Sequence, residues 1–161
     1  MEIRPMEPRD LAACTALYNE YIENTTITFE ERPLSTAEFS ARAEAIAAVY
    51  PYLVAEEDGR ILGYAYLDRY SERTAYRFTA DVSIYLKDGL QGRGVGPRLM
   101  AELERLGRAQ EMHSLVSIIT GENTRSMRFH ERNGFVRTGE LREAGYKFGR
   151  WLDVVFYQKT L

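Results

Sequence analysis

Between residues 91 and 96 the chain reads Gln-Gly-Arg-Gly-Val-Gly, with glycines at every second position and a helix-forming sequence behind them. Glycines at this spacing let backbone N–H groups turn toward a ligand at close range. A helix opening at Val95 adds unpaired N–H donors and the positive end of its dipole. The combination suits a pyrophosphate. Taken alone, it equally suits a plain glycine-rich turn ahead of a helix. Lys87, Arg93 and Arg98 add local positive charge. The loop lacks a Gly-Lys-Ser/Thr ending, so it is no Walker loop. It also lies past mid-chain, whereas a dinucleotide fingerprint belongs to the first strand–helix unit. Just upstream, Thr79, Asp81, Ser83 and Tyr85 alternate with Ala80, Val82, Ile84 and Leu86, the period of a strand with one apolar face. Asp81 on the polar face is a candidate general base or a solvated strand carboxylate. Arg73 and Arg77, with Tyr76, fill the loop that feeds this strand. Guanidinium forks there suit a substrate carboxylate, or simply a solvated charged loop.

The elements that must position these residues are legible along the chain. Glu2 to Arg4 predicts a short strand, and Pro8 to about Tyr21 a helix with apolar residues at Leu11, Cys14, Leu17, Tyr18 and Tyr21. Asn24 to Arg32 is a threonine-rich connection. Ser35 with Glu38 three residues on is a capping box opening a helix that runs to about Val49. Strands follow at Tyr52 to Ala55 and Ile61 to Asp68, joined by Asp58-Gly59 turn chemistry. Phe78 to Leu86 is the central strand. Val95 to about Gln110 is a helix with a Val95, Leu99, Leu103, Leu106 stripe. Leu115 to Ile119 is a buried strand, and Asn123 to Asn133 a short helix stopped by Gly134. Phe135 to Leu141 and Leu152 to Lys159 are the last strands. This order predicts one α+β domain over residues 1–161, built on a mixed sheet.

Composition narrows the function. The 161 residues carry a formal net charge of −3. An acidic chain lacks the basic footprint of a nucleic-acid or membrane-surface binder, so neither partner is expected. One cysteine, Cys14, and two histidines, His113 and His130, leave no metal cluster, and no metal is expected. No apolar window approaches a membrane span or a signal core, so the expected compartment is the cytoplasm. His113 is expected to cap a helix end or lie at the surface. Trp151, Phe156 and Tyr157 are expected in the sheet core or an interface. A homodimer is compatible with the sequence, which does not set the oligomeric state.

Gln91-x-x-Gly94-x-Gly96, after a strand and opening a helix, resembles the acetyl-CoA signature of the GNAT superfamily of N-acetyltransferases. Asn123, Ser126 and the run His130-Glu131-Arg132-Asn133-Gly134-Phe135 agree with it. The resemblance covers essentially the whole chain and is closest to the phosphinothricin and methionine sulfone/sulfoximine acetyltransferases. Four blocks carry that narrower likeness: Thr25 to Glu30, Phe78 to Tyr85, Gly121-Glu122-Asn123, and Gly145 to Asp153.

The resemblance implies a mixed, twisted sheet flanked by helices and split between its central strands to admit CoA. It implies acetyl-CoA as cosubstrate and a small amino-acid-like amine as acceptor. Ile84, Tyr85 and Leu86 would bond the acyl chain through their main chain. Gly92 to Pro97 (Gly92, Arg93, Gly94, Val95, Gly96, Pro97), with Gln91, would hold the pyrophosphate. Asn123 would bond the pantetheine region, and Arg132 would also meet the cofactor. An α-amine is mostly protonated at neutral pH and needs a base. Asp81 is that candidate, where the related enzymes are similar but carry glutamate. His130 stands where many superfamily members place the tyrosine thought to protonate the leaving thiolate. It is either that acid or a helix histidine that packs and bonds locally. Phe29 and Glu30, with Arg73, Tyr76 and Arg77, are the substrate-side candidates. Leu152 stands where some herbicide-inactivating relatives carry histidine, which argues against phosphinothricin as the preferred substrate. The rival readings are the same fold acting on protein N-termini or polyamines, and a non-catalytic acyl-CoA-binding module.

Overall fold

The computed structural model describes residues 1–90 and 92–161, so the expectation for Gln91 lies outside the described residues. Seven strands form one sheet: β1 (Glu2–Pro5), β2 (Tyr52–Glu57), β3 (Arg60–Arg69), β4 (Thr79–Leu86), β5 (Ser114–Thr120), β6 (Val136–Lys147) and β7 (Arg150–Thr160). Their order is β1-β2-β3-β4-β5-β7-β6. Among the described residues only β4 and β5 run parallel, and every other pair of neighbours is antiparallel. The helices are α1 (Leu11–Asn24), α2 (Thr36–Ala47), α3 (Val95–Ala109) and α4 (Thr124–Arg132).

The strand period sorts the core into two layers. Ala80 and Val82 of β4 join Leu53, Leu67, Leu115 and Val155 under the α3 stripe of Val95, Leu99 and Leu103. On the other face, Tyr52, Val54 and Tyr64 pack against Leu17, Tyr18 and Ile22 of α1 and Phe39 and Ala43 of α2. The central alternation is as expected, and Tyr85 packs with that second, tyrosine-rich layer. Ser35 and Glu38 form the predicted capping box, with reciprocal bonds of 3.1 and 2.8 Å. Cys14 is fully buried. His113 is exposed ahead of β5.

Several boundaries shift by a few residues, and two of the differences bear on the fold. The helix expected from Pro8 begins as a 3₁₀ turn, Pro8–Asp10, and turns α-helical at Leu11. The last two strands form a longer hairpin than expected, since β6 runs on to Lys147 and pairs it with Arg150. The segment reads as loop because Glu143-Ala144-Gly145 breaks the alternation. The structure absorbs that break in a register shift between Leu141 and Gly145, with Glu143 at φ 51°. Phe148 and Gly149, at φ 52° and 71°, make the two-residue turn whose twist matches a hairpin. No helix among the described residues is long and apolar enough to cross a membrane.

Candidate active site

β4 and β5 pair only at Thr79–Ser114, Ala80–Leu115 and Asp81–Val116. Beyond Asp81 the two strands part. The cleft between them is lined by Val82 to Leu86 on one wall and Ser117 to Thr120 on the other. Asn123, Arg125, Ser126, Phe129 and His130 present one side of α4 to it, and Tyr21 and Ile27 line it from elsewhere. The wall from Val82 onward has no strand partner on this side. Its free backbone groups suit an extended ligand that adds to a strand edge. Ile84, Tyr85 and Leu86, the expected acyl-chain partners, stand on that wall. Tyr21 holds its end, donating its hydroxyl to the Leu86 carbonyl at 2.6 Å.

The glycine loop meets the requirements of a pyrophosphate. Gly92 and Gly94 sit at φ 77° and 74°, and a Cβ on either would meet nothing within 4 Å. Gly94 is the N-cap of α3 and offers no side chain to its first N–H groups. The donors of Val95 and Gly96 are thus left for a ligand, while Pro97 has none to satisfy. Gly96 is buried, and a Cβ there would lie 3.0 Å from the Phe129 ring and 3.4 Å from Leu86, so it keeps helix and cleft wall in close approach. Arg93 is ion-paired to Glu57. Asn123 caps α4, its Oδ1 accepting from the Ser126 N–H at 3.1 Å, and leaves its amide N–H groups to the cleft. Arg132 is exposed at the far end of α4 and does not line the cleft; Arg125, in the first turn, does.

Asp81 lies at the apex of the split, at the last paired position before the walls diverge. Its Oδ1 is buried without a hydrogen-bond partner among the described residues. Burial pushes its carboxyl up to about 7, and the negative charge of Asp68 adds to the shift. His130 is buried between Phe129 and Phe135. Its Nδ1 lies 2.8 Å from the Ser126 carbonyl oxygen, which only accepts, so Nδ1 carries the proton. Nε2 then accepts from the Ser117 hydroxyl at 2.7 Å. Burial holds the ring below the usual histidine range.

The substrate-side residues are not gathered at the cleft. Phe29 packs on Gly145, where a Cβ would lie 2.2 Å from its ring. Glu30 is held bidentately by Arg42 at 3.0 and 2.7 Å. Arg73, Tyr76 and Arg77 are exposed in the loop before β4, with Arg77 stacked 4.4 Å over Phe78 and Tyr76 edge-on to Tyr70. Neither arginine makes an ion pair among the described residues. The sequence reading missed three groups. Tyr21 and Arg125 line the cleft, and Lys147, 1% exposed, donates to the carbonyls of Thr25 and Thr28 at 2.8 and 2.9 Å. Glu122 ties the same loop down by accepting from Thr26 at 2.6 Å and from Arg150. For Arg125 the signal was present, since it stands four residues before Phe129, beside Ser126 and His130, on one side of the same helix. For Lys147, a lysine in a polar hairpin, no local signal exists.

Comparison with known proteins agrees with this architecture. Residues 3–156 match the acetyltransferase (GNAT) domain family. The chain is 40% identical over 161 residues to phosphinothricin N-acetyltransferase of Alcaligenes faecalis, covering 99% of this chain and 82% of that one. It is 37% identical to L-methionine sulfoximine/L-methionine sulfone acetyltransferase of Pseudomonas paraeruginosa, covering 99% and 94%. A phosphinothricin acetyltransferase from Sinorhizobium meliloti, solved in complex with acetyl-CoA, superposes with a TM-score of 0.95 at 37% identity, covering 99% and 88%. With the split parallel pair, the uncapped glycine-led helix and a match over nearly its full length, the chain belongs to the GNAT family of acetyltransferases.

Proposed function

We propose that this protein transfers an acetyl group from acetyl-CoA to the α-amine of a small amino-acid analogue of the methionine sulfone, methionine sulfoximine and phosphinothricin class. The observation that carries the reading is the cleft itself, with a strand edge and a helix N-terminus on its walls and the buried carboxyl of Asp81 at its apex. Acetyl-CoA, when bound, supplies an activated thioester. Gly92 to Gly96 would hold its pyrophosphate, and the free edge of β4 its acyl arm. Asp81 takes the proton of the substrate ammonium. An ordinary carboxylate is too weak a base for an ammonium, and burial corrects this by raising its proton affinity. Because Asp81 stands at the apex rather than on the lining, the proton reaches it through a water. We assign His130 to holding the Ser117 hydroxyl and packing α4 onto the sheet. What supports this is that its one ring proton is already given to Ser126 and its other nitrogen to Ser117.

Arg73 and Arg77, exposed before β4 and without acidic partners among the described residues, would meet a substrate carboxylate from outside the cleft, and Arg125 from the cleft wall. A panel of amines assayed by CoA release tests the substrate class. Methionine sulfone should be acetylated with a kcat/KM at least tenfold above that of its amide, since a lost hydrogen bond to a charged group costs about 1.5–3 kcal/mol. Equal values for acid and amide, or a preference for polyamines or peptide N-termini, would rule the reading out.

We further propose that the protein forms a homodimer through the β6–β7 hairpin. β6 is an edge strand, and Val136, Leu141, Tyr146, Phe148 and Trp151, spread along this hairpin, are each exposed. Trp151, expected in core or interface, is not in the core. An unpaired edge carrying apolar side chains is a liability that a two-fold partner removes. Light scattering should return twice the chain mass, and Trp151→Glu should halve it. A monomeric mass for the wild type defeats the proposal.

A further inference from the structure

The antiparallel register of β3 and β4 places Asp68 directly opposite Asp81. Directly opposed residues share a face of the sheet, with Cβ atoms about 5 Å apart. Like charges in that arrangement repel, and native sheets rarely keep them without a counter-charge. Among the described residues none is supplied, since Arg69, next to Asp68, is paired with Glu72. On β4 itself the same face carries Thr79 and Ser83, both neutral. Val116 of β5, beside Asp81, is apolar, and Gln158 beyond it is spent on Ser114 at 2.8 Å. On β3 the neighbour of Asp68 on this face is Tyr66. The ion pair of Glu30 with Arg42 is internally neutralised. Arg73 and Arg77 are exposed, and Arg77 is turned onto Phe78. Asp68, by contrast, is fixed as an acceptor, since its Oδ1 takes the Arg69 N–H at 2.7 Å. The pair is therefore asymmetric. One carboxylate is partly solvated and hydrogen-bonded. The other has a buried oxygen with no partner. When two carboxylates share a site, the one in the poorer environment carries the proton.

We propose that Asp68 is a positioning residue for acetyl transfer: its fixed negative charge across the β3–β4 pair tunes Asp81 to accept a proton from an ammonium near neutral pH. The inference rests on the reading of Asp81 as the base. Asp68 does not line the cleft, and it acts only through the carboxyl opposite. Asp68→Asn removes the charge and keeps an oxygen for the Arg69 N–H, while Asp68→Glu keeps the charge. The midpoint of Asp81 is read by carbon NMR of its carboxyl, assigned with Asp81→Asn, in protein without ligands. The pH profile of kcat/KM is read separately with methionine sulfone. In Asp68→Asn the Asp81 midpoint should fall by about one pH unit, the size expected of a partly screened like charge at this separation. The acid limb of kcat/KM should fall with it, and Asp68→Glu should restore both. Should Asp68→Asn not fold, the same comparison is made with Asp68→Ser, whose hydroxyl also accepts from a neighbouring N–H. An unmoved Asp81 midpoint overturns the coupling and leaves the base reading intact. A midpoint that moves while the acid limb stays put overturns the role in transfer, because Asp81 is then not the base.

Discussion

Asp81→Asn is expected to lower kcat by about 10²-fold or more while leaving the acetyl-CoA dissociation constant unchanged, the usual loss when a general base is removed. The substitution preserves shape and takes away only the proton acceptor. A carboxylate that merely attracted the ammonium would instead raise KM with kcat little changed. Asp81→Glu should keep substantial activity, since it restores a carboxylate on the same face of β4. Asp81→Asn also carries a stability signature that does not depend on catalysis. In the folded protein the Asp81 carboxyl is raised from 3.8 to about 7. Below pH 4 it is protonated in both folded and unfolded chains, and its burial costs nothing extra. As pH rises from about 4 to about 7 the unfolded chain releases this proton and the folded chain holds it, so wild-type stability falls across that window. Asp81→Asn has no proton to lose there. Its stability relative to wild type should therefore grow between pH 4 and 7 and level off above, by at most a few kcal/mol given partial solvent access. Urea denaturation at pH 4.5 and pH 8 measures this. A constant difference between variant and wild type at the two values, with wild-type kcat across pH 6 to 9, would remove Asp81 from the mechanism.

Gly94→Val should raise the acetyl-CoA dissociation constant by about 10–10²-fold, with the fold retained. Gly94 holds φ 74° at the N-cap of α3, a conformation that costs a branched L-residue about 1–2 kcal/mol. Among the described residues, its own chain neighbours aside, nothing lies within 4 Å of the added Cβ, so the new side chain meets no core there. It projects instead from the loop whose N–H groups are to meet the pyrophosphate. Losing one or two hydrogen bonds to that charge accounts for the expected range. Gly96→Val would act differently: its Cβ presses on Phe129 and Leu86, both cleft-lining, so part of its effect comes from moving the walls. Titration calorimetry reads the affinity and thermal unfolding the fold. Wild-type affinity in Gly94→Val would separate the loop from the cosubstrate.

What the sequence determined by itself is local. The glycine spacing at 92, 94 and 96, the Ser35–Glu38 capping box, the α3 stripe and the alternation of β4 each rest on contacts within a few residues. A side-chain period or a turn residue is read directly from neighbours in the chain, which is why Asp81 could be placed on the polar face of its strand. The period names the face but not the neighbour. Which strand lies beside β4, and where the pairing stops, is decided by packing on both sides of the sheet. So the split beyond Asp81 and the pairing of Asp81 with Asp68 appear only in the folded chain. The same holds for Lys147, whose ammonium closes on carbonyls 122 and 119 residues away. It also holds for Arg73 and Arg77, whose charge was plain in the sequence but whose place outside the cleft was not. Proximity between distant segments is set by the burial of the two apolar layers, and no short stretch of the chain contains that information.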